Sequence, residues 1–244
     1  MPSLNDFAST KLENLTARGQ RRELTDTARK AAGTAVRRNR DVISFCCNDY
    51  LNLSQHPAVK RAAQAAVEEF GVGSGASRLV TGNHPLFAQL ETRLARLKGT
   101  DAALVFGAGY LANTGIIPSL VGAGDVVFAD ELSHACLMSG ARMSDAQVHV
   151  FRHNDMAHLE ELLVAHRGSA GNALMVTDGV FSMDGDLAPL PQMVALANDH
   201  ETWLMTDDAH GLGVIGGGHG SARAFGDVPL DIPLQMGTLS KAVG

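Results

Sequence analysis

The chain has 244 residues, 45% of them hydrophobic and 19% charged, which is enough ordinary globular sequence to bury a sizeable core in one large domain or two small ones. A formal net charge of −6 argues against nucleic acid as the main partner, and the short basic cluster Arg37, Arg38 and Arg40 does not reverse that balance. Cys46, Cys47 and Cys136 form no Cys-x-x-Cys pair, so neither a disulfide framework nor a zinc site is indicated and a reducing cytosol fits; no signal peptide or membrane-length apolar run is seen.

Residues 4–31 are charged and helix-prone, with Leu4, Phe7, Leu12 and Leu15 spaced for one apolar face, which predicts a helical docking arm. A short strand is expected over 41–45 and a turn over 48–51. Pro57 opens a helix running to Phe70, where proline in the first turn costs nothing, and the Gly-rich stretch 71–77 stops it. A second helix over 86–98 places Leu86, Leu90, Leu94 and Leu97 on one face. From there short apolar strands alternate with helices. Strands are expected at 102–106, 125–129, 148–151, 173–177, 203–206 and 234–236, and helices near 111–120, 134–143, 156–166 and 190–200. This alternation predicts an α/β domain with a mostly parallel sheet covered by helices on both faces, its ligands lying beyond the carboxyl ends of the strands. The expected division is an N-terminal arm and the start of a small domain over 1–50, then a large α/β domain over 51–244.

The candidate chemistry sits at those strand ends. Gly-Thr-Leu-Ser-Lys241 carries a lysine in a turn of small residues, where a flat ligand can reach the amine and the hydroxyls of Thr238 and Ser240 can hold an anion. Phe106-Gly-Ala-Gly109-Tyr110 follows a strand and opens a helix, a place where free amides and the helix dipole favour a phosphate; it is equally a turn that needs glycine for its backbone angles. Asp207-Asp208-Ala-His210 ends a buried strand, so its carboxylate calls for a positive partner such as a protonated pyridine nitrogen. A metal site built on Asp207, Asp208 and His210 is the competing reading, without convincing companion ligands. Ser182 lies past another strand. His134 opens a helix at a height where an imidazole can stack on a flat cofactor, although a lone histidine is more often a partly buried hydrogen-bonding residue. Gly216–Gly220 reads as a mobile turn, and His149, His153, His158 and His166 as surface residues.

Together, Lys241 in Gly-Thr-Leu-Ser-Lys, Asp207 and His210 in Asp-Asp-Ala-His-Gly, Ser182 in Val-Phe-Ser-Met-Asp-Gly, and Ser-His134 resemble the α-oxoamine synthases, which are fold type I pyridoxal phosphate enzymes. Asn48-Asp-Tyr-Leu, the stretch Gly73–Gly82 and His153-Asn-Asp extend the resemblance along nearly the whole chain. The resemblance implies that Lys241 is the Schiff-base lysine and general base, that Asp207 pairs with the pyridine nitrogen, and that His134 stacks on the ring. It also implies that His210 and Ser182 contact the phenolic oxygen side, while the amides of Gly109 and Tyr110 and the hydroxyl of Thr238 hold the phosphate. Arg21 or Arg22 falls where the family places an acyl-chain contact, and Arg21 and His134 are the candidate substrate residues; no metal is implied. The implied reaction is a decarboxylative condensation of an amino acid with an acyl-CoA. The member nearest in sequence belongs to biotin biosynthesis, implying L-alanine and pimeloyl-CoA, in a cytoplasmic homodimer. A transaminase, an aldol-cleaving lyase and an inactive fragment are the alternatives. Family members continue past the lysine into a C-terminal small domain, which is expected to be absent here.

Overall fold

The computed structural model describes residues 3–244, which divide into two compact units between Cys47 and Asn48. In the first unit, helix α1 (Leu4–Ala17) starts at a capping box in which Ser3 and Asp6 satisfy each other's backbone amides. The helix ends at Ala17 instead of continuing to residue 31, because Gly19 takes a left-handed φ of 65° and the chain then turns into strands. β1 (Thr27–Arg29), β2 (Thr34–Arg37) and β3 (Arg40–Ile43) form an antiparallel sheet in the order β1-β2-β3. The basic cluster is the tip of the β2–β3 hairpin. Arg38 and Asn39 both have positive φ, as a two-residue turn matched to strand twist requires.

The second unit opens with α2 (Pro57–Phe70) and α3 (Pro85–Lys98), each beginning at a proline and capped by a histidine, His56 and His84. Then follow α4 (Gly109–Leu120), β4 (Val126–Asp130), α5 (Ala135–Met143), β5 (Gln147–Phe151), α6 (Met156–His166), β6 (Ala173–Asp178), α7 (Leu190–Asp199), β7 (Trp203–Asp207) and β8 (Leu234–Met236). The five strands pair in parallel in the order β5-β4-β6-β7-β8. Strand order reverses between β4 and β6, which opens a crevice at their carboxyl ends. Alternate residues of each strand feed opposite faces. Val126, Phe128, Met175 and Leu204 pack with Leu159 and Leu163 of α6 and Met193 of α7. Val127, Ala129, Leu174, Val176 and Met205 pack with Ile117 of α4 and Leu137 and Ala141 of α5. A sheet covered on both faces reads as continuous apolar runs, which is why these strands were visible in the sequence.

One expected strand is missing. Residues 102–106 are extended but pair with no strand among the described residues. Side chains serve their backbone instead: Val105 donates its N–H to Glu91 Oε1 at 2.9 Å and accepts from Arg78 at 3.0 Å. No helix of the described residues is long and apolar enough to cross a membrane.

Candidate active site

Four strand-end segments build the site. β7 ends in Asp207, buried at 3% exposure, because the apolar run Trp203–Met205 carries the strand into the sheet centre and Asp207 is its last paired residue. The Ala209 N–H donates to Asp207 Oδ1 at 2.9 Å, and Asn113 of α4 donates to Oδ2 at 2.7 Å. Burial pushes the Asp207 carboxyl above the usual range, against those two bonds and the charge of Lys241. A protonated ring nitrogen would reverse that push, since opposite charge favours the ionised form.

Lys241 follows β8 in the Thr238–Ser240 turn. Its Nζ lies 2.7 Å from His210 Nε2, and the other ring nitrogen of His210 lies 2.7 Å from the Tyr50 hydroxyl. Burial lowers the Lys241 amine despite the pull of Asp207 and Asp178, and burial likewise lowers His210, with Lys241 adding to it. Lysine and histidine are thereby shifted toward their neutral forms.

His134 caps α5 after β4. Its backbone N–H donates to Asp178 Oδ2 at 2.8 Å, tying the cap to the end of β6. Asp178 stands level with Asp207 on the neighbouring strand. Burial first, opposed by the His134 N–H and joined by Asp207 and Asp130, raises its carboxyl to about 7.

Gly109 begins α4, and a Cβ built on it would stand 3.6 Å from Met236 Cε and 3.9 Å from Thr238 Cβ. The helix start and the Thr238 turn are therefore neighbours. Thr238 and Ser240 share a hydroxyl hydrogen bond of 2.8 Å beside the amides of Gly109 and Tyr110. A groove of about 690 Å³ between residues 102–109 and 233–240 reaches the site at Gly109, Thr238 and Ser240, whereas Lys241, Asp207 and His134 lie off its wall.

The structure thus brings Lys241, His210, Asp207, His134, Gly109, Tyr110 and Thr238 to one end of the sheet. Ser182 lies in the exposed turn after β6 and is hydrogen-bonded to none of them among the described residues. Arg21 belongs to the first unit, where its guanidinium lies 3.5 Å from Glu23. The donor set suits pyridoxal phosphate: a buried carboxylate for the ring nitrogen, a desolvated amine for the aldehyde, and helix-start amides with a hydroxyl pair for the phosphate.

Several supporting residues had no local signal. Lys98 of α3 reaches Asp208 Oδ2 at 2.8 Å and the His219 carbonyl at 2.8 Å; Asp208 is fully buried. Glycines crowd that carboxylate, since a Cβ at Gly179, Gly211 or Gly220 would clash with it. The Gly216–Gly220 turn is therefore held by Lys98. His153, expected at the surface, is clamped between Asp130 at 2.9 Å and Asp186 at 2.7 Å. Only the packing of β4 and β5 against the 179–188 loop reveals that.

Residues 40–244 match the family described as Aminotransferase class I and II. The chain is 59% identical over 244 residues to 8-amino-7-oxononanoate synthase of Beijerinckia indica subsp. indica, covering all of this chain and 63% of that protein. It is 65% identical over 209 residues to the Methylocella silvestris enzyme of the same name, covering 86% of this chain and 59% of that one. It spans less than two thirds of the length of these relatives. Among solved structures, Sphingomonas wittichii serine palmitoyltransferase aligns with a TM-score of 0.88 at 35% identity over 98% of this chain and 60% of its own. The fold is that of the fold type I pyridoxal phosphate transferases. The chain belongs to the aminotransferase class I and II family and, within it, to the α-oxoamine synthases.

Proposed function

We propose that this chain carries the cofactor-binding half of a pyridoxal phosphate-dependent acyltransferase that condenses L-alanine with pimeloyl-CoA, releasing CoA and CO₂ and giving 8-amino-7-oxononanoate for biotin biosynthesis. The observation that carries the reading is the convergence of a desolvated lysine, a buried carboxylate and a helix-capping histidine at adjacent strand ends. The identity of 59–65% to synthases of that name supports the choice of substrates.

When bound, the cofactor supplies an electron sink for the amino-acid α-carbon. The protein does the rest. Asp207 would hold the ring nitrogen protonated by its charge. Lys241, whose amine burial shifts toward its neutral form, would be the group that bonds to the cofactor aldehyde and, when free, the base for the α-proton. His210 keeps that amine in place at 2.7 Å. His134 would lie against the ring face, Ser182 and His210 would serve the phenolic oxygen, and Gly109, Tyr110 and Thr238 would hold the phosphate. Arg21 contributes a substrate contact. The enzyme works as a cytoplasmic homodimer.

A second reading has a specific observation in its favour. The structural likeness to serine palmitoyltransferase, at a TM-score of 0.88, exceeds that to the Francisella tularensis 8-amino-7-oxononanoate synthase, at 0.64. Serine with a longer acyl-CoA is therefore the runner-up.

The test is borohydride reduction of the protein mixed with pyridoxal phosphate, followed by peptide mass spectrometry and a CoA-release assay. The expected result is one stable adduct on Lys241, CoA release with alanine and pimeloyl-CoA, and no turnover in Lys241→Ala. Near-normal turnover by Lys241→Ala would overturn the assignment, and release with serine and palmitoyl-CoA alone would transfer it to the runner-up.

A further inference from the structure

Behind Asp207 and His134 lies a chain of buried polar side chains. Asn113, on the second turn of α4, has no exposure. Its Nδ2 carries two hydrogens; Asp207 Oδ2 lies 2.7 Å away and Cys136 Sγ 3.0 Å away. Cys136, on the first turn of α5 and 3% exposed, in turn has its Sγ 2.7 Å from His134 Nδ1. The backbone N–H of Cys136 also points at that nitrogen, at 3.2 Å. An N–H can only donate, so Nδ1 accepts and the proton of the neutral ring is on Nε2. The Sγ–Nδ1 distance of 2.7 Å is far shorter than the 4.0 Å from Sγ to Asp207 Oδ2, so the thiol hydrogen points at Nδ1. There it shares the nitrogen's one lone pair with the Cys136 N–H and leaves the sulfur lone pairs for Asn113.

Every bond in the chain has a direction. The amide donates to the carboxylate and to the thiol, and the thiol donates to the imidazole. Turning the amide over would set its oxygen against the ionised Asp207 carboxylate that a protonated ring nitrogen calls for, which disfavours that orientation. Asn113 Oδ1 is buried with no partner in the structure. An amide whose acceptor is left unpaired is a poor packing residue, and leucine would fill the same volume without that penalty. What leucine lacks is the pair of donors.

We propose that Asn113 is a positioning residue of the site: its two N–H donors hold the Asp207 carboxylate and, through Cys136, fix the tautomer and orientation of the His134 ring. The inference deepens the reading of Asp207 and His134 as cofactor contacts and rests on it. It makes α4 serve both ends of the site, with helix-start amides at Gly109 and a donor to the far carboxylate one turn later.

The test uses the protein without cofactor, so that it reads the side chains directly. Carboxyl ¹³C titration of Asp207 and ring ¹⁵N shifts of His134 are compared in the parent, Asn113→Leu, Cys136→Ala and Cys136→Ser. In Asn113→Leu the ratio of protonated to ionised Asp207 at a given pH should rise about tenfold, the equivalent of one pH unit. Cys136→Ala should leave the Asp207 titration in place and let His134 exchange between tautomers, and Cys136→Ser, which still accepts and donates, should restore the parent ring shifts. A merely structural asparagine would leave the titration unmoved, and that result overturns the proposal. If Asn113→Leu does not fold, Asn113→Ala removes the same donors without adding bulk, and the same two outcomes decide. An adduct on Lys241 of the parent together with an unmoved Asp207 would sink the role of Asn113 alone and leave the functional reading standing.

Discussion

In the first unit all of β1 and β3 is exposed and β2 buries Ala35 alone, whereas every residue of β4 and β6 in the second unit is buried. Helix α1 likewise buries none of its residues, while α4 and α5 bury four each. The difference separates local from collective stability. Hairpin turns and a capping box shape the first unit, but such short-range devices contribute only about 1 kcal/mol each. The second unit is held by apolar layers on both sheet faces, and those layers make it affordable to bury the polar groups of the site.

The sharpest way to break the contrast is a large-to-small change in each unit. Phe128→Ala, in the centre of β4, should cost roughly 3–5 kcal/mol in urea unfolding, while Leu12→Ala on exposed α1 should stay within about 0.5 kcal/mol. Equal losses would mean that α1 is buried in the assembled protein. Next in size is Lys98→Met. It strands the fully buried Asp208 carboxylate and should cost about 3 kcal/mol, in contrast to the Lys30–Asp41 pair of the first unit, which solvent screens.

The smallest expected effect concerns pH. Burial raises Asp178 to about 7 in the folded protein, against 3.8 for the free side chain, so the folded protein binds a proton that the unfolded chain releases. Its contribution is complete below about pH 4 and is lost as pH rises to about 7. Asp178→Asn should remove that slope, as measured by urea unfolding at a series of pH values. An unchanged slope would place the titration elsewhere.

The large domain was legible because buried parallel strands leave short apolar runs and the helices between them carry their own punctuation. Pro57 and the Gly-rich stretch from Gly71 marked boundaries that the structure keeps. The N-terminal arm misled because composition favoured helix, while Gly19 and the paired positive φ angles at Arg38 and Asn39 decided the backbone. Residues 102–106 have the pattern of a strand, but their donors and acceptors are served by Arg78 and Glu91, which no local pattern announces. At the site, Lys241, Asp207, His210 and His134 stood out because each ends or starts an element. Asn113, Cys136 and Lys98 did not, because their meaning lies in partners far along the chain, 94 residues away for Asn113 and Asp207 and 110 for Lys98 and Asp208.

The Lys98–Asp208 contact also governs how the domain opens. Helix α3 cannot lift away without taking Lys98 from the buried Asp208 carboxylate, which keeps the Ser221 N–H as a donor in a pocket lined by Gly179, Gly211 and Gly220. Local fraying of α3 is therefore coupled to loss of the Asp207–His210 turn, and the two share one opening equilibrium. Amides in α3 and in residues 208–212 are expected to exchange as a single cooperative unit, with the helix acting as the latch of the turn that carries His210.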